Sequence, residues 1–192
     1  MKNRILEIAN HNNGYIIREV IKKYNIPSIY LTRLVNEGKL KRIHRGIYLL
    51  SDYVEDEFYI YSVIYSKLVY SKETALYLNN LSNRQFTGYY VTFPYGTNIP
   101  KIKNYIIEQT RKKTYDLGIE YIETPYGNKV RCYNKERCIC DLFINDYDFE
   151  DKIFAIIEYK NNYLDFDKLY NYADQLGILD KVKNVFEVIV WN

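Results

Sequence analysis

Four side chains between Pro27 and Gly38 belong to the types that bind the edges of DNA bases: Tyr30, Thr32, Arg33 and Asn36. Arginine can form two hydrogen bonds with guanine, asparagine can do the same with adenine, and the methyl group of threonine can contact thymine. At 100° per residue, the opposite face of a helix over these positions is apolar, formed by Leu31, Leu34 and Val35. The pattern therefore predicts a recognition helix for the major groove, and an ordinary solvated helix face is the alternative.

A basic cluster follows directly, and its members belong to the types that bind phosphate groups: Lys41, Arg42, His44 and Arg45. Two short alternating runs flank the cluster, and Gly46 can adopt the positive φ of a tight turn, so we expect a β-hairpin here. Such a hairpin would be a wing that contacts phosphates or the minor groove. We expect further phosphate contacts from Arg4, Lys22 and Lys23. A hairpin that is basic only for solubility is the alternative.

The charge of the chain is divided unevenly between its two ends. Residues 1–50 carry ten Lys and Arg against three acids, a net charge of +7. The remaining residues carry 17 Lys and Arg against 21 acids, a net charge of −4. A whole-chain charge of +3 hides this asymmetry, which favours a polyanionic partner such as double-stranded DNA for the N-terminal segment.

Three short helices are expected ahead of the hairpin, because apolar residues recur there at helical spacing between breaks. The first helix ends at the turn sequence His11 to Gly14, and the second follows an extended segment at Tyr15 to Ile17. Asn25-Ile26-Pro27 interrupts the second helix, and the third then runs to about Glu37, with Gly38 as its cap. Helices and hairpin therefore follow in the order of a winged helix-turn-helix.

The rest of the chain mixes the two kinds of element. Strands are expected at Leu68–Tyr70, Tyr89–Phe93, Asn104–Glu108, Ile119–Glu123 and Val130–Tyr133. Helices are expected at Phe58–Ser66, after Ser71, and at Lys135–Phe143, Phe149–Lys160, Phe166–Gln175 and Leu179–Val190. The sequence therefore predicts an α+β protein, with a winged helix-turn-helix in residues 1–52 and a mixed α/β C-terminal domain, ending in helices, in residues 53–192.

The sequence gives no positive sign of an enzyme, and we expect no catalytic residue, cofactor or metal. It contains no glycine-rich phosphate loop, no H-E-x-x-H and no G-x-S-x-G motif. Cys132, Cys138 and Cys140 do not have the spacing of a zinc site or a redox pair, so we interpret them as structural thiols. Arg137 and Asp141 lie four residues apart, and we expect a structural pair on one helix face, worth about 0.2 to 0.5 kcal/mol.

One enzymatic alternative is a metal-dependent nuclease with a DNA-binding N-terminal domain. Its Mg²⁺ would be held by carboxylates drawn from Glu120, Glu123, Asp141 and Glu158, with Lys160 beside them. However, Glu158 and Lys160 fall in a predicted helix, whereas this interpretation needs a strand. A third hypothesis treats the chain as a protein-interaction module with a basic end.

The composition, with 47% hydrophobic and 27% charged residues, is that of a soluble globular protein. No run approaches the roughly 20 apolar residues that cross a bilayer, and the N-terminus lacks the apolar segment of a signal peptide. We therefore expect no membrane association and a cytoplasmic location.

Several motifs of this chain occur together, in the same order, in a known family. In the N-terminal segment they are Ile26-Pro27, Leu31-x-Arg33-Leu34-Val35-x-Glu37-Gly38-Lys39-Leu40 and Arg45-Gly46-Ile47-Tyr48. Beyond it they are Ser71-x-Glu73-Thr74-Ala75-Leu76, Thr92-x-Pro94 and Glu136-Arg137-x-Ile139-Cys140-Asp141-Leu142. By these motifs the chain resembles the AbiEi-type antitoxins of type IV toxin–antitoxin, phage abortive-infection systems. It departs from that family at Lys72, where a histidine is usual.

The resemblance implies a function for each domain. The winged helix would repress transcription of its own operon by binding inverted repeats in the promoter. The C-terminal domain would counteract a nucleotidyltransferase toxin, and a stable complex between antitoxin and toxin is not assumed.

Overall fold

The computed structural model describes residues 1–84 and 87–191. The chain forms two compact units, one of Met1–Ile64 with Thr124–Asn128 and the other of Tyr65–Glu123 with Lys129–Asn192. The first unit therefore extends past the predicted boundary at residue 52. The α+β class is confirmed, with an N-terminal winged helix-turn-helix and helices at the C-terminus.

The first unit contains four helices and three strands. In chain order they are α1 (Lys2–Asn10), β1 (Tyr15–Ile17), α2 (Arg18–Lys23), α3 (Ser28–Asn36), β2 (Leu40–His44), β3 (Ile47–Leu50) and α4 (Glu57–Ile64). The strands form an antiparallel sheet in the order β1-β3-β2. The predicted extended segment before the second helix is thus β1, which pairs with the hairpin strand β3.

The turns of this unit are set by residues that tolerate positive φ. Asn13 and Gly14 have φ values of 48° and 83° between α1 and β1, and Asn25 has a φ of 49° between α2 and α3. A Cβ on Gly14 would lie 2.5 Å from the ring of Tyr53, so only glycine fits at this close approach. The predicted breaks at residues 11–14 and 25–27 are therefore confirmed.

A single apolar cluster holds the three helices against the sheet. Its buried members are Ile5, Ala9, Ile16, Ile26, Leu31, Leu34, Leu40 and Leu50. They come from α1, β1, α3, β2 and β3, and from the turn before α3. Burial of apolar surface therefore fixes the position of α3, which contributes Leu31 and Leu34.

α4 belongs to the first unit because it completes a second cluster, in which Ile60 packs with Tyr15, Ile47 and Leu49. Next to this cluster lies Asp56, which is completely buried. Its carboxylate accepts hydrogen bonds from the Thr124 hydroxyl at 2.6 Å and from the Asn128 side-chain amide at 2.8 Å. The sequence did not indicate this network, because its members are about 70 residues apart in the chain.

The second unit is built on a five-stranded sheet. Its elements are β4 (Val69–Tyr70), α5 (Lys72–Leu78), β5 (Tyr89–Pro94), β6 (Tyr105–Thr110), α6 (Lys112–Asp116), β7 (Ile119–Glu123), β8 (Lys129–Tyr133), α7 (Lys135–Ile144), α8 (Phe149–Asn162), α9 (Phe166–Gln175) and α10 (Leu179–Trp191). The strand order is β6-β5-β4-β8-β7, with β5–β6 and β4–β8 parallel. Every predicted strand and helix is present, whereas α6 was not predicted.

The Arg137–Asp141 pair lies inside the second unit rather than on a helix surface. Arg137 Nε donates to Asp141 Oδ1 at 2.9 Å, and the two side chains are only 6% and 9% exposed. Arg137 Nη1 also donates to the carbonyl oxygens of Thr114 and Leu117, at 2.6 and 3.0 Å. The structural role is as expected, but removing one partner of a buried pair costs about 3–5 kcal/mol, far more than the value for a surface pair.

We predict that Tyr15→Phe lowers the free energy of unfolding by about 1–3 kcal/mol. The buried Tyr15 hydroxyl accepts a hydrogen bond from the Asp56 backbone N–H at 2.8 Å, and the variant leaves this N–H without a partner. Urea denaturation followed by circular dichroism measures the loss. Tyr95→Phe, at a side chain that is 64% exposed, is the matched control and should change stability by less than about 0.5 kcal/mol. Equal values for the two variants would contradict the role of this bond.

The same variant should change the alkaline limb of the stability profile. Burial raises the pKa of Tyr15 from 10.0 to about 12. Between these values the unfolded chain loses the phenolic proton while the folded chain keeps it, so wild-type stability falls as pH rises. This part of the decrease should be missing in Tyr15→Phe.

Candidate nucleic-acid interface

α3 presents its predicted recognition face to solvent. Leu31 and Leu34 are 1% and 0% exposed, which turns the opposite side of the helix outward. Thr32, Arg33 and Asn36 are all exposed on that side. Three of the four predicted base-binding side chains are therefore available to a ligand.

Tyr30, the fourth, is placed differently. It is half-buried and packs against the apolar cluster around Leu31 and Leu34. Its ring centroid lies 5.8 Å from the guanidinium carbon of Arg33, within the range of a cation–π contact. The Tyr30 ring therefore contacts the Arg33 guanidinium group on the surface of α3. Direct contact of Tyr30 with a base stays a prediction.

Thr32 directs one of its functional groups back to its own helix. Its hydroxyl donates to the carbonyl oxygen of Ser28 at 3.2 Å. The hydroxyl proton is thus occupied, while the methyl group remains on an exposed side chain. This arrangement suits apolar contact with a thymine methyl better than donation to a base.

The predicted wing is present as β2 and β3, joined by Arg45 and Gly46. Gly46 has a φ of +81°, as expected for the tip of the hairpin. The pairing shifts between Arg42, which faces Tyr48, and His44, which faces Ile47, so Ile43 is an extra residue in β2. Such a bulge bends the strand locally, and Lys41, Arg42 and His44 are all exposed.

The three basic residues expected in the first two helices are also exposed. Arg4 in α1 and Lys23 in α2 both approach the ring of Tyr24, at 6.0 and 5.4 Å from its centroid. Two cations from different helices are therefore held near one aromatic side chain. Lys22 lies beside them on the last turn of α2.

Glu37, the acidic residue that follows α3, lies close to two lysines that balance its negative charge. Lys2 in α1 forms an ion pair with it, and Lys39 lies 4.0 Å away. The hydrogen bond from Lys2 lowers the pKa of the Glu37 carboxyl below its ordinary value. Glu37 thus stays ionised, but its charge is balanced locally and opposes a bound polyanion less than a free carboxylate would.

Arg18 is a candidate that the sequence prediction did not assign. β1 pairs with β3 through Ile17 and Ile47, which brings the next residue, Arg18, against Gly46 at the wing tip. A Cβ on Gly46 would lie 3.5 Å from Arg18 Cβ and 3.7 Å from its Nε. The missing signal was the pairing of β1 with β3, because local periodicity does not show which strands are neighbours.

The four carboxylates of the nuclease interpretation are spread over three elements of the second unit, β7, α7 and α8. Glu120 accepts from Lys168 at 2.9 Å and Asn134 at 2.8 Å, and Asp141 pairs with Arg137. Glu158 lies on α8, and Glu123 lies at the end of β7. Among residues 1–84 and 87–191, no three His, Cys, Asp or Glu side chains are arranged to hold a metal ion.

The three cysteines are buried, and their thiols are free. Burial raises the pKa of each thiol, that of Cys140 to about 12, which keeps them protonated near neutral pH. Their interpretation as structural thiols agrees with this placement. Within the described part of the chain, no helix has the length and apolar character needed to cross a membrane.

Comparison with known proteins finds a family match within the first unit. Residues 3–51 match the family model described as "Transcriptional regulator, AbiEi antitoxin". The predicted resemblance is thereby confirmed for the winged-helix segment, and the motifs from Ser71 onward lie outside the matched residues. A comparison with curated proteins gives no match.

A solved structure is similar over most of the chain. The RV2827C protein from Mycobacterium tuberculosis superposes with a TM-score of 0.54 over 93% of this chain and 75% of that one. The two sequences are 10% identical, so this likeness concerns the fold alone.

Proposed function

We propose that this protein is a DNA-binding transcriptional repressor of its own operon and the antitoxin of a type IV toxin–antitoxin, phage abortive-infection system. The observation that carries the proposal is the joint exposure of Thr32, Arg33 and Asn36 on α3 and of the basic residues of the wing. The match of residues 3–51 to the AbiEi regulator family supports it.

In this proposal α3 lies in the major groove of double-stranded DNA. Arg33 donates two hydrogen bonds to a guanine, Asn36 pairs with an adenine, and the methyl group of Thr32 contacts a thymine. The cation–π contact with Tyr30 restrains the Arg33 side chain. Holding a long side chain in place reduces the conformational entropy that binding would otherwise cost.

The wing and the first two helices contact the sugar–phosphate backbone. Lys41, Arg42, His44 and Arg45 extend from the hairpin, while Arg4, Lys22 and Lys23 extend from α1 and α2. Each cation that neutralises a phosphate releases condensed counterions from the DNA, so the affinity depends on salt. These contacts position α3 without reading the sequence themselves.

The biological role follows from where the protein binds. Inverted repeats in the promoter of its own operon, in the cytoplasm, are the proposed operator, and occupancy there limits transcription of antitoxin and toxin together. The second unit is the part proposed to counteract a nucleotidyltransferase toxin. This action does not require a stable complex of the two proteins.

We predict that Arg42→Ala/Arg45→Ala flattens the plot of log K against log salt concentration by about 1.8, because each lost phosphate contact removes about 0.9 from the slope. Fluorescence anisotropy with a labelled duplex from the upstream region measures the slope. Lys101→Ala/Lys103→Ala, which removes two exposed cations of the second unit, is the control and should keep the wild-type slope. An unchanged slope in the wing variant would rule out the wing as a phosphate-binding element.

Arg33→Lys should separate base recognition from charge. Lysine keeps the positive charge but lacks the planar fork that donates two bonds to guanine. We expect a loss of about 1–3 kcal/mol on the operator, with little change on scrambled DNA. Competition titrations with both duplexes measure the difference. An equal loss on both would instead make Arg33 a nonspecific phosphate contact.

Antitoxic activity should survive the loss of DNA binding. When the Arg42→Ala/Arg45→Ala variant is expressed from an independent promoter, we expect it to restore the growth of cells that express the nucleotidyltransferase encoded beside it. Colony counts with the wild type and an empty vector are the controls. Failure of the wild type to restore growth would contradict the antitoxin role, and failure of the variant alone would place that role in the winged helix.

A further inference from the structure

A pocket of about 240 Å³ lies beside the wing, within the first unit. Eight residues from α2, the wing and α4 line it: Arg18, Glu19, His44, Arg45, Gly46, Ile47, Val63 and Ile64. We refer to these residues as the wing pocket. Three of the eight are basic: Arg18, His44 and Arg45. The two apolar residues from α4, Val63 and Ile64, lie outside the segment that matches the AbiEi family.

The polar and apolar residues of the wing pocket divide into a rim and a floor. Arg18, Glu19, His44 and Arg45 are exposed around it. Ile47 is buried, and Val63 and Ile64 are half-buried. Two arginines therefore stand over an apolar surface, with a single carboxylate among them.

Arg18 is held in this rim by the backbone around it. The pairing of Ile17 with Ile47 fixes its Cα next to the wing tip, and its side chain lies along Gly46. A Cβ at Gly46 would be in ordinary van der Waals contact with Arg18 Cβ and Nε, so the Arg18 side chain lies directly against the tip of the hairpin. Arg18 and Arg45, which are far apart in sequence, are thus brought to one site.

The chemistry of this site fits one unit of the DNA backbone. A phosphodiester presents anionic oxygens, which arginine binds through charge-assisted hydrogen bonds. The adjoining deoxyribose presents C–H groups, which suit an apolar floor. We propose that the wing pocket holds one sugar–phosphate unit of bound duplex DNA, with Arg18 as a phosphate-binding residue and α4 as part of the interface. This inference rests on the proposed DNA binding and extends it to residues that were not assigned.

Glu19 should have the opposite effect on DNA affinity to Arg18. Its carboxylate lines the same pocket and would repel a phosphate there. Removing the charge of Arg18 should therefore weaken binding, whereas removing the charge of Glu19 should strengthen it. A purely structural role for Arg18 does not predict this reciprocal pair.

The test measures the affinity of the full-length protein for a duplex from the upstream region at a series of salt concentrations. We expect Arg18→Ala to lower the salt slope by about 0.9, Arg18→Lys to keep most of it, and Glu19→Gln to bind more tightly than the wild type. Arg111→Ala, at an exposed arginine of the second unit, is the charge-matched control and should keep the wild-type slope. Circular dichroism on each variant confirms that the fold is retained.

Duplexes with single methylphosphonate linkages then locate the phosphate. A neutral linkage at the contacted position should weaken wild-type binding and leave Arg18→Ala unaffected, so the two changes are not additive. If the wild type binds DNA but Arg18→Ala keeps its affinity, slope and methylphosphonate profile, the wing pocket is not a backbone site and the proposed function stands. If the wild type shows no binding to any duplex, the proposed function and this inference both fail.

Discussion

Burial of Leu31 and Leu34 beneath α3 is the constraint on which the candidate interface depends. Both side chains are essentially inaccessible to solvent, and they pack with residues of α1, β2 and β3. Since successive residues of a helix are rotated by 100°, anchoring two positions determines where all the others point. Arg33 and Asn36 face solvent because they lie on the side of α3 opposite Leu31 and Leu34, which are buried in the apolar cluster.

The wing depends on the two faces of a strand. Arg42 and His44 lie two residues apart in β2 and are both exposed, while Ile43 between them packs on the apolar cluster that includes Ile60 of α4. Lys41 and Arg45, on either side, are exposed as well. Ile43 thus anchors the hairpin while its basic side chains extend into solvent.

Local features of this fold could be predicted from the sequence, whereas the pairing of distant segments could not. Asn13, Gly14, Asn25 and Gly46 adopt positive φ, as their residue types favour, and so they mark turns without reference to the rest of the chain. By contrast, the contact of Arg18 with the wing depends on β1–β3 pairing, and the buried carboxylate of Asp56 depends on Thr124 and Asn128. The burial of the Arg137–Asp141 pair was missed for the same reason, since the carbonyls of Thr114 and Leu117 that accept from Arg137 lie 23 and 20 residues away in the chain. Helical spacing gives the distance between two residues but not which distant segments pack over them.

A mobility-shift titration of the full-length protein on the DNA upstream of its own gene tests the central claim most directly. It would be run with scrambled duplex as competitor and at two salt concentrations. We expect saturable binding that resists the competitor and weakens steeply with salt, since we propose that α3 provides the sequence preference and the wing the phosphate contacts. Binding with no preference for the upstream DNA over the scrambled duplex would contradict it.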